Sequence, residues 1–132
     1  MDLDVSALRH LWREAAALPD PTAAQVWLHG DLRPANLLAR GGRLEAVIDF
    51  GALSVGWPDA EHAAVWDLPA PARQTYGAVA NLDDTTWLRA RGWAVGVAAL
   101  GVPSYWRTYA AFVDECLARL RTVLEQDMAL HW

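Results

Sequence analysis

Asp31, Asn36 and Asp49 have the types and spacing for one shared reaction. Asp31 and Asn36 belong to the stretch HGDLRPAN (29–36), and Asp49 stands in IDFG (48–51). A carboxylate beside a hydroxyl can orient it and accept its proton, while oxygen ligands hold magnesium against the phosphates of a nucleotide, an arrangement suited to phosphoryl transfer. An isolated Asp-x-x-x-x-Asn is more often turn chemistry, because both residues bond their own backbone. Here a second motif follows in the right order, and the two together favour the phosphoryl-transfer reading over turn chemistry.

These residues need elements to hold them. From Val5 to Leu18 the apolar residues Val5, Leu8, Leu11, Trp12 and Ala15 recur at helical spacing, with Asp4 or Ser6 as N-cap and Pro19 and Pro21 beyond the end. VWL (26–28) reads as a strand, and NLLAR and RLEAVIDF flank Gly41-Gly42 as a tight hairpin, so the 29–36 loop lies between strands. A short helix is expected from Asp59 to about Trp66, another after Pro71, and a further one from about Thr86 capped by Asp83 or Asp84. Gly92 and Gly96 inside that helix point to close packing. Beyond Pro103, the positions Trp106, Tyr109, Val113, Cys116, Leu117, Leu120, Val123 and Leu124 read as the apolar stripe of one long helix, with Glu115 and Arg119 as an i,i+4 pair on its outer face. Asp114, Glu115, Glu125 and Asp127 read as a solvated face, with an amine-binding pocket as the less favoured alternative.

Bulk properties limit the partners. The 132 residues suit one domain, and a net charge of −5 disfavours nucleic acid while a cationic small molecule fits better. One cysteine, Cys116, leaves no internal disulfide, and no signal pattern or membrane-length apolar run is visible, so a cytoplasmic protein with no membrane partner is expected. All eleven basic residues are arginine, so a mechanism that needs lysine must find it elsewhere. His10, His62 and His131 lack metal-ligand spacing, and the eight tryptophans read mostly as core or lobe-contact residues.

HGDLRPAN, with Gly30 before the aspartate, and VIDFGALSVGWPDAEHAA (47–64) resemble the aminoglycoside phosphotransferase and choline kinase superfamily. The resemblance implies an α+β, mostly helical fold: a protein-kinase-like C-terminal lobe over residues 1–132, with a small β-hairpin carrying the catalytic and metal loops. It implies ATP and Mg2+ as cofactors, Asp31 as catalytic base, Asn36 and Asp49 as metal ligands, and His29 as a brace for the loop. Arg33 stands where a guanidinium can reach the transferred phosphate. Glu61 holds the place of an aspartate that pins the catalytic-loop backbone in relatives, and Ala52 and Trp57 stand where acidic residues are common. The family's N-terminal nucleotide-binding lobe and its phosphate-pairing lysine have no counterpart in these residues.

Three functions follow from the resemblance. The first is an ATP- and magnesium-dependent phosphotransferase acting on a hydroxyl of an antibiotic-like small molecule, present as its catalytic lobe. The second is a non-catalytic remnant that binds a metal or small molecule. The third is a subunit that completes its site with a separate N-terminal lobe or by self-association.

Overall fold

A computed structural model describes residues 3–128, so the expectation for His131 lies outside the described residues. Helix α1 (Val5–Ala16) starts where expected, with the Asp4 carboxylate accepting the Ala7 N–H at 2.9 Å. The β-rich middle contains β1 (Val26–Leu28), β2 (Leu37–Arg40), β3 (Arg43–Val47) and β4 (Ser54–Gly56). The helical remainder contains α2 (Asp59–His62), a 3-10 segment (Ala63–Asp67), α3 (Ala70–Ala80), α4 (Asp84–Tyr105) and α5 (Ala110–Met128). The fold is therefore α+β and mostly helical, compatible with part of a kinase-like domain.

The strands form two nested antiparallel pairs. β2 and β3 make the inner hairpin, with Leu37 opposite Val47, and β1 and β4 make the outer pair, with Leu28 opposite Ser54. The consequence for the site is direct: the two connections, 29–36 and 48–53, each run from one pair to the other. Two such connections leave and arrive at facing residues, so they must run side by side.

The core lies among the helices. Leu8 and Leu11 of α1, Val65 and Trp66 of the 3-10 segment, Cys116, Leu120 and Val123 of α5, and Ala90, Ala94 and Ala98 of α4 form one buried cluster. Alanine every fourth residue gives α4 a thin stripe that lets neighbouring helices approach closely. Gly92 shows how closely, because a Cβ added there would sit 2.3 Å from the Ala15 methyl carbon. Truncating Leu11, which is 2 % exposed, to alanine is expected to cost about 2–5 kcal/mol by transfer and cavity terms.

Several expectations are corrected. The helix after Pro58 narrows to a 3-10 turn from Ala63, with the Leu68 N–H bonding the Val65 carbonyl. The stripe from Trp106 to Leu124 is not one helix: α4 runs through Pro103 to Tyr105, and α5 begins at Ala110. Trp106 and Tyr109 fall in that break and are exposed. Glu115 and Arg119 do not pair with each other. Arg119 forms a two-pronged ion pair with Asp67, Nε to Oδ1 at 2.7 Å and Nη2 to Oδ2, while Glu115 bonds Arg33. Both partners lie on other elements, and the largely buried Arg33 and Arg119 would be costly to leave unpaired. Of the tryptophans, Trp66 is buried, whereas Trp12, Trp27, Trp93 and Trp106 are each about half exposed or more.

Candidate phosphotransfer site

The 29–36 loop is held from three sides. The Glu61 carboxylate accepts the backbone N–H of His29 at 2.9 Å and that of Gly30 at 3.0 Å, one on each oxygen. Charge-assisted bonds of this kind are roughly twice as strong as neutral ones. Helix α2, which carries Glu61, is too short to hold itself and is tied down by its neighbours. Asp59 pairs with Arg89 of α4 at 3.6 Å, and His62 Nδ1 meets the Tyr76 hydroxyl of α3 at 2.5 Å. Burial pushes the His62 pKa below its ordinary value, against the raising effect of Asp59 and Glu61.

His29 ties the two loops together. Its Nε2 lies 2.8 Å from the Ile48 carbonyl oxygen, and the Asp31 N–H donates to its Nδ1 at 3.2 Å. A carbonyl only accepts and an amide N–H only donates, so the ring carries its proton on Nε2 and Nδ1 is occupied. The ring is buried, with Phe50 packed against it at 4.6 Å between centroids. At the crossing, Gly30 has φ +84°, and a Cβ there would lie 2.1 Å from the Ala52 carbonyl oxygen. No side chain fits between the loops, which is why glycine precedes the aspartate.

Asn36 and Asp31 form the centre of the site. The buried Asn36 amide donates to the Asp31 backbone oxygen at 2.8 Å and to its carboxylate Oδ2 at 3.0 Å. The NH2 group is thereby directed at Asp31, and the Asn36 carbonyl oxygen remains as a hard donor. The Ile48 N–H bonds the Asn36 carbonyl of the main chain at 2.9 Å, adding a rung to the β2–β3 hairpin and setting Asp49 one residue past it. Asp49 is exposed and adopts a left-handed conformation, φ 62° and ψ 68°, that aspartate tolerates better than most residues. Among the described residues no three His, Cys, Asp or Glu side chains cluster as a metal site by themselves. An amide oxygen with one exposed carboxylate does fit magnesium, which takes one or two protein oxygens and completes its shell with water and phosphates.

Arg33 approaches the same Asp31 oxygen as the Asn36 amide. Its Nε is 3.5 Å from Asp31 Oδ2, its Nη1 donates to Glu115 Oε2 at 2.5 Å, and its guanidinium lies 5.1 Å from the Phe112 ring centre. Burial opposes its charge, but the Tyr109 and Glu115 side chains and the Asp31 charge outweigh that, so its pKa is raised. A cavity of about 70 Å3 is lined by Asp31, Arg33, Glu61, Phe112, Glu115 and Cys116, among others. The Cys116 thiol is pushed up by burial, which leaves it unreactive as a nucleophile near neutral pH.

The nested strands thus bring Asp31, Asn36, His29 and the start of the Asp49 loop together, and Glu61 reaches them from α2. Sequence reasoning missed Phe112, and it read Tyr109 as part of an apolar stripe and Glu115 as part of a solvated face instead of as neighbours of Arg33. They are about eighty residues beyond Arg33, and the apolar period of α5 carries no sign of which loop its edge faces.

Two loops crossing at a glycine thus carry a carboxylate, an amide and a carboxylate in this order within an α+β fold. Comparison with protein families matches residues 2–93 to the phosphotransferase enzyme family, APH, and the chain belongs to that family. Neither the curated proteins nor the solved structures gave a match. Among the described residues no helix is long and apolar enough to cross a membrane.

Proposed function

We propose that this chain supplies the acceptor-hydroxyl and metal-binding part of a small-molecule kinase, with ATP as donor. The observation that carries the reading is the Asp31 carboxylate, held by the Asn36 amide at 3.0 Å within a loop whose backbone is clamped by Glu61 and His29. A carboxylate fixed in this way can receive an acceptor hydroxyl at one oxygen and take its proton as the oxygen–phosphorus bond forms and the bond to the leaving nucleotide oxygen breaks. Asn36, through its carbonyl oxygen, and Asp49, through its carboxylate, would hold magnesium. The metal supplies neutralisation of phosphate charge and alignment of the transferred group. His29 bears no proton-transfer role in this scheme, because both ring nitrogens are occupied by backbone groups.

A specific observation also favours a second reading, a module that binds metal and ligand without appreciable turnover. The sequence contains no lysine, and the Arg33 guanidinium nearest the base is occupied by Glu115. Charge neutralisation of a polyphosphate needs more than two metal ligands.

The test separates binding from turnover. With ATP present, Mn2+ added to isotope-labelled protein is expected to broaden the backbone signals around Asn36 and Asp49, and Asp49→Ala or Asn36→Ala is expected to remove that broadening. Broadening elsewhere, or broadening that survives both substitutions, would overturn the metal assignment. Turnover on a panel of hydroxyl compounds, lost in Asp31→Asn, distinguishes the kinase from the binding module.

A further inference from the structure

The two carboxylate oxygens of Asp31 are treated differently. The Asn36 amide donates to Oδ2 at 3.0 Å, and Arg33 Nε lies 3.5 Å from that same oxygen. Among the described residues no donor reaches Oδ1. The Asp31 side chain is 43 % exposed, so Oδ1 is the oxygen left to meet an acceptor.

Arg33 is itself held. Its side chain is 12 % exposed, Nη1 donates to Glu115 Oε2 at 2.5 Å, and the guanidinium lies 5.1 Å from the centre of the Phe112 ring. Phe112 is braced in turn, stacked on Tyr109 at 5.9 Å and 23° and edge-on to Tyr105 at 5.2 Å. A guanidinium is a rigid plane, so a carboxylate on one arm and an aromatic face beside it fix the direction of the remaining N–H groups. With Nη1 on Glu115, Nε is the nitrogen nearest Asp31. The Nε is buried and makes no hydrogen bond of its own, which leaves the Asp31 charge as the group that compensates it.

A single bond from Asn36 would let a partly exposed carboxylate swing about its Oδ2. A second donor on that oxygen, on a side chain that cannot itself move, removes the freedom. Reaching a phosphate instead would cost Arg33 both the Glu115 ion pair and the Phe112 face.

We propose that Arg33 is a positioning residue for Asp31, set by Glu115 of α5. Glu115 aims the guanidinium, the guanidinium and the Asn36 amide hold Oδ2, and Oδ1 is presented to the acceptor hydroxyl. Arg33 thus acts through the base and not on the transferred phosphate. This rests on the reading of Asp31 as the base that faces the acceptor. Phe112 and Glu115 lie outside the residues matched to the family, so this support comes from the chain's own α5.

The test on the full chain reads the Asp31 rotamer directly. Three-bond NMR couplings from the Asp31 amide nitrogen and carbonyl carbon to its Cγ report that rotamer whether or not the chain turns over. The native chain is expected to show a single rotamer. Glu115→Gln and Arg33→Gln are each expected to give couplings averaged over rotamers, with a native circular dichroism spectrum. In turnover, each variant is expected to lower kcat about tenfold or more while the KM for ATP stays within about twofold, because a misaimed base slows the step without loosening the nucleotide. Averaged couplings in the native chain overturn the proposal without any variant, so a variant that fails to fold does not protect it. Unchanged couplings in a folded variant, or a raised KM for ATP with kcat kept, also overturn it. A native chain with one Asp31 rotamer, lost in the variants, but with no turnover refutes the kinase reading and leaves the positioning intact.

Discussion

The two loops that cross at Gly30 and Ala52 are held in opposite ways. The 29–36 loop is anchored by a buried histidine, a buried asparagine and both oxygens of Glu61. The 48–53 loop is anchored mainly at Ile48, by its N–H to Asn36 and its carbonyl to His29, and then turns through an exposed, left-handed Asp49. The difference teaches a division of labour. The group proposed to meet an acceptor hydroxyl is fixed in advance, because a hydroxyl contributes little energy to arrange it. The group proposed to meet a doubly charged ion stands in water, and the ion itself can organise it.

The largest expected effect comes from closing the crossing. Gly30→Ala places a methyl 2.1 Å from the Ala52 carbonyl and forces alanine to φ +84°, so the loops must part. A loss of about 3 kcal/mol or more is expected from the combination of clash and strain, measured by urea unfolding. A loss under about 1 kcal/mol would show that the loops separate freely and that the contrast between them is false.

Next is the clamp. Glu61→Gln leaves one amide oxygen to serve two backbone N–H groups and turns its NH2 toward the other, for an expected loss of about 1.5–3 kcal/mol. Hydrogen exchange at His29 and Gly30 should accelerate while exchange at Phe50 and Gly51 changes little. Equal acceleration in both loops would mean that they open as one unit.

Asp49→Gly is expected to act in the other direction. It relieves the left-handed conformation and should leave stability unchanged or raise it by up to about 1 kcal/mol while removing metal binding. Thermal unfolding together with the Mn2+ experiment checks this, and a destabilisation above about 1 kcal/mol would show that the Asp49 side chain supports the loop.

The smallest effect concerns pH. The folded His62 pKa is lowered, so the unfolded state binds the proton more readily and stability rises with pH through this group. Its contribution is fully present above the ordinary histidine value and is lost as pH falls below that value toward the lowered one. Acidification should loosen α2, and with it the Glu61 clamp, before it affects the 48–53 loop. His62→Gln should flatten that part of the stability curve, and an unaltered curve would locate the pH dependence elsewhere.

Much of this was legible in the sequence, in identifiable places. The Asp4 and Asp83 caps, the Gly41-Gly42 hairpin and the strand at 26–28 depend on neighbours in the chain, and each is found where local chemistry puts it. The break at 106–109 was not legible, because the apolar period continues through it. There the chain must reverse for α5 to pack on α4, and packing outweighs a local pattern that leaves Trp106 and Tyr109 exposed. The i,i+4 pairing of Glu115 with Arg119 failed for a related reason. The largely buried guanidiniums of Arg33 and Arg119 each need an opposite charge beside them, and folding brings Glu115 to one and Asp67 to the other.

The sequence by itself determined the family, through Asp31, Asn36 and Asp49 in order, because those groups sit on two short loops whose spacing along the chain is fixed by a hairpin. Only the tertiary structure decided which other groups surround them: Tyr76 on His62, and Glu115 with Phe112 around Arg33. These contacts join residues from 14 to 82 positions apart. Their formation depends on how whole helices pack, and no local pattern of apolar and charged residues encodes that geometry.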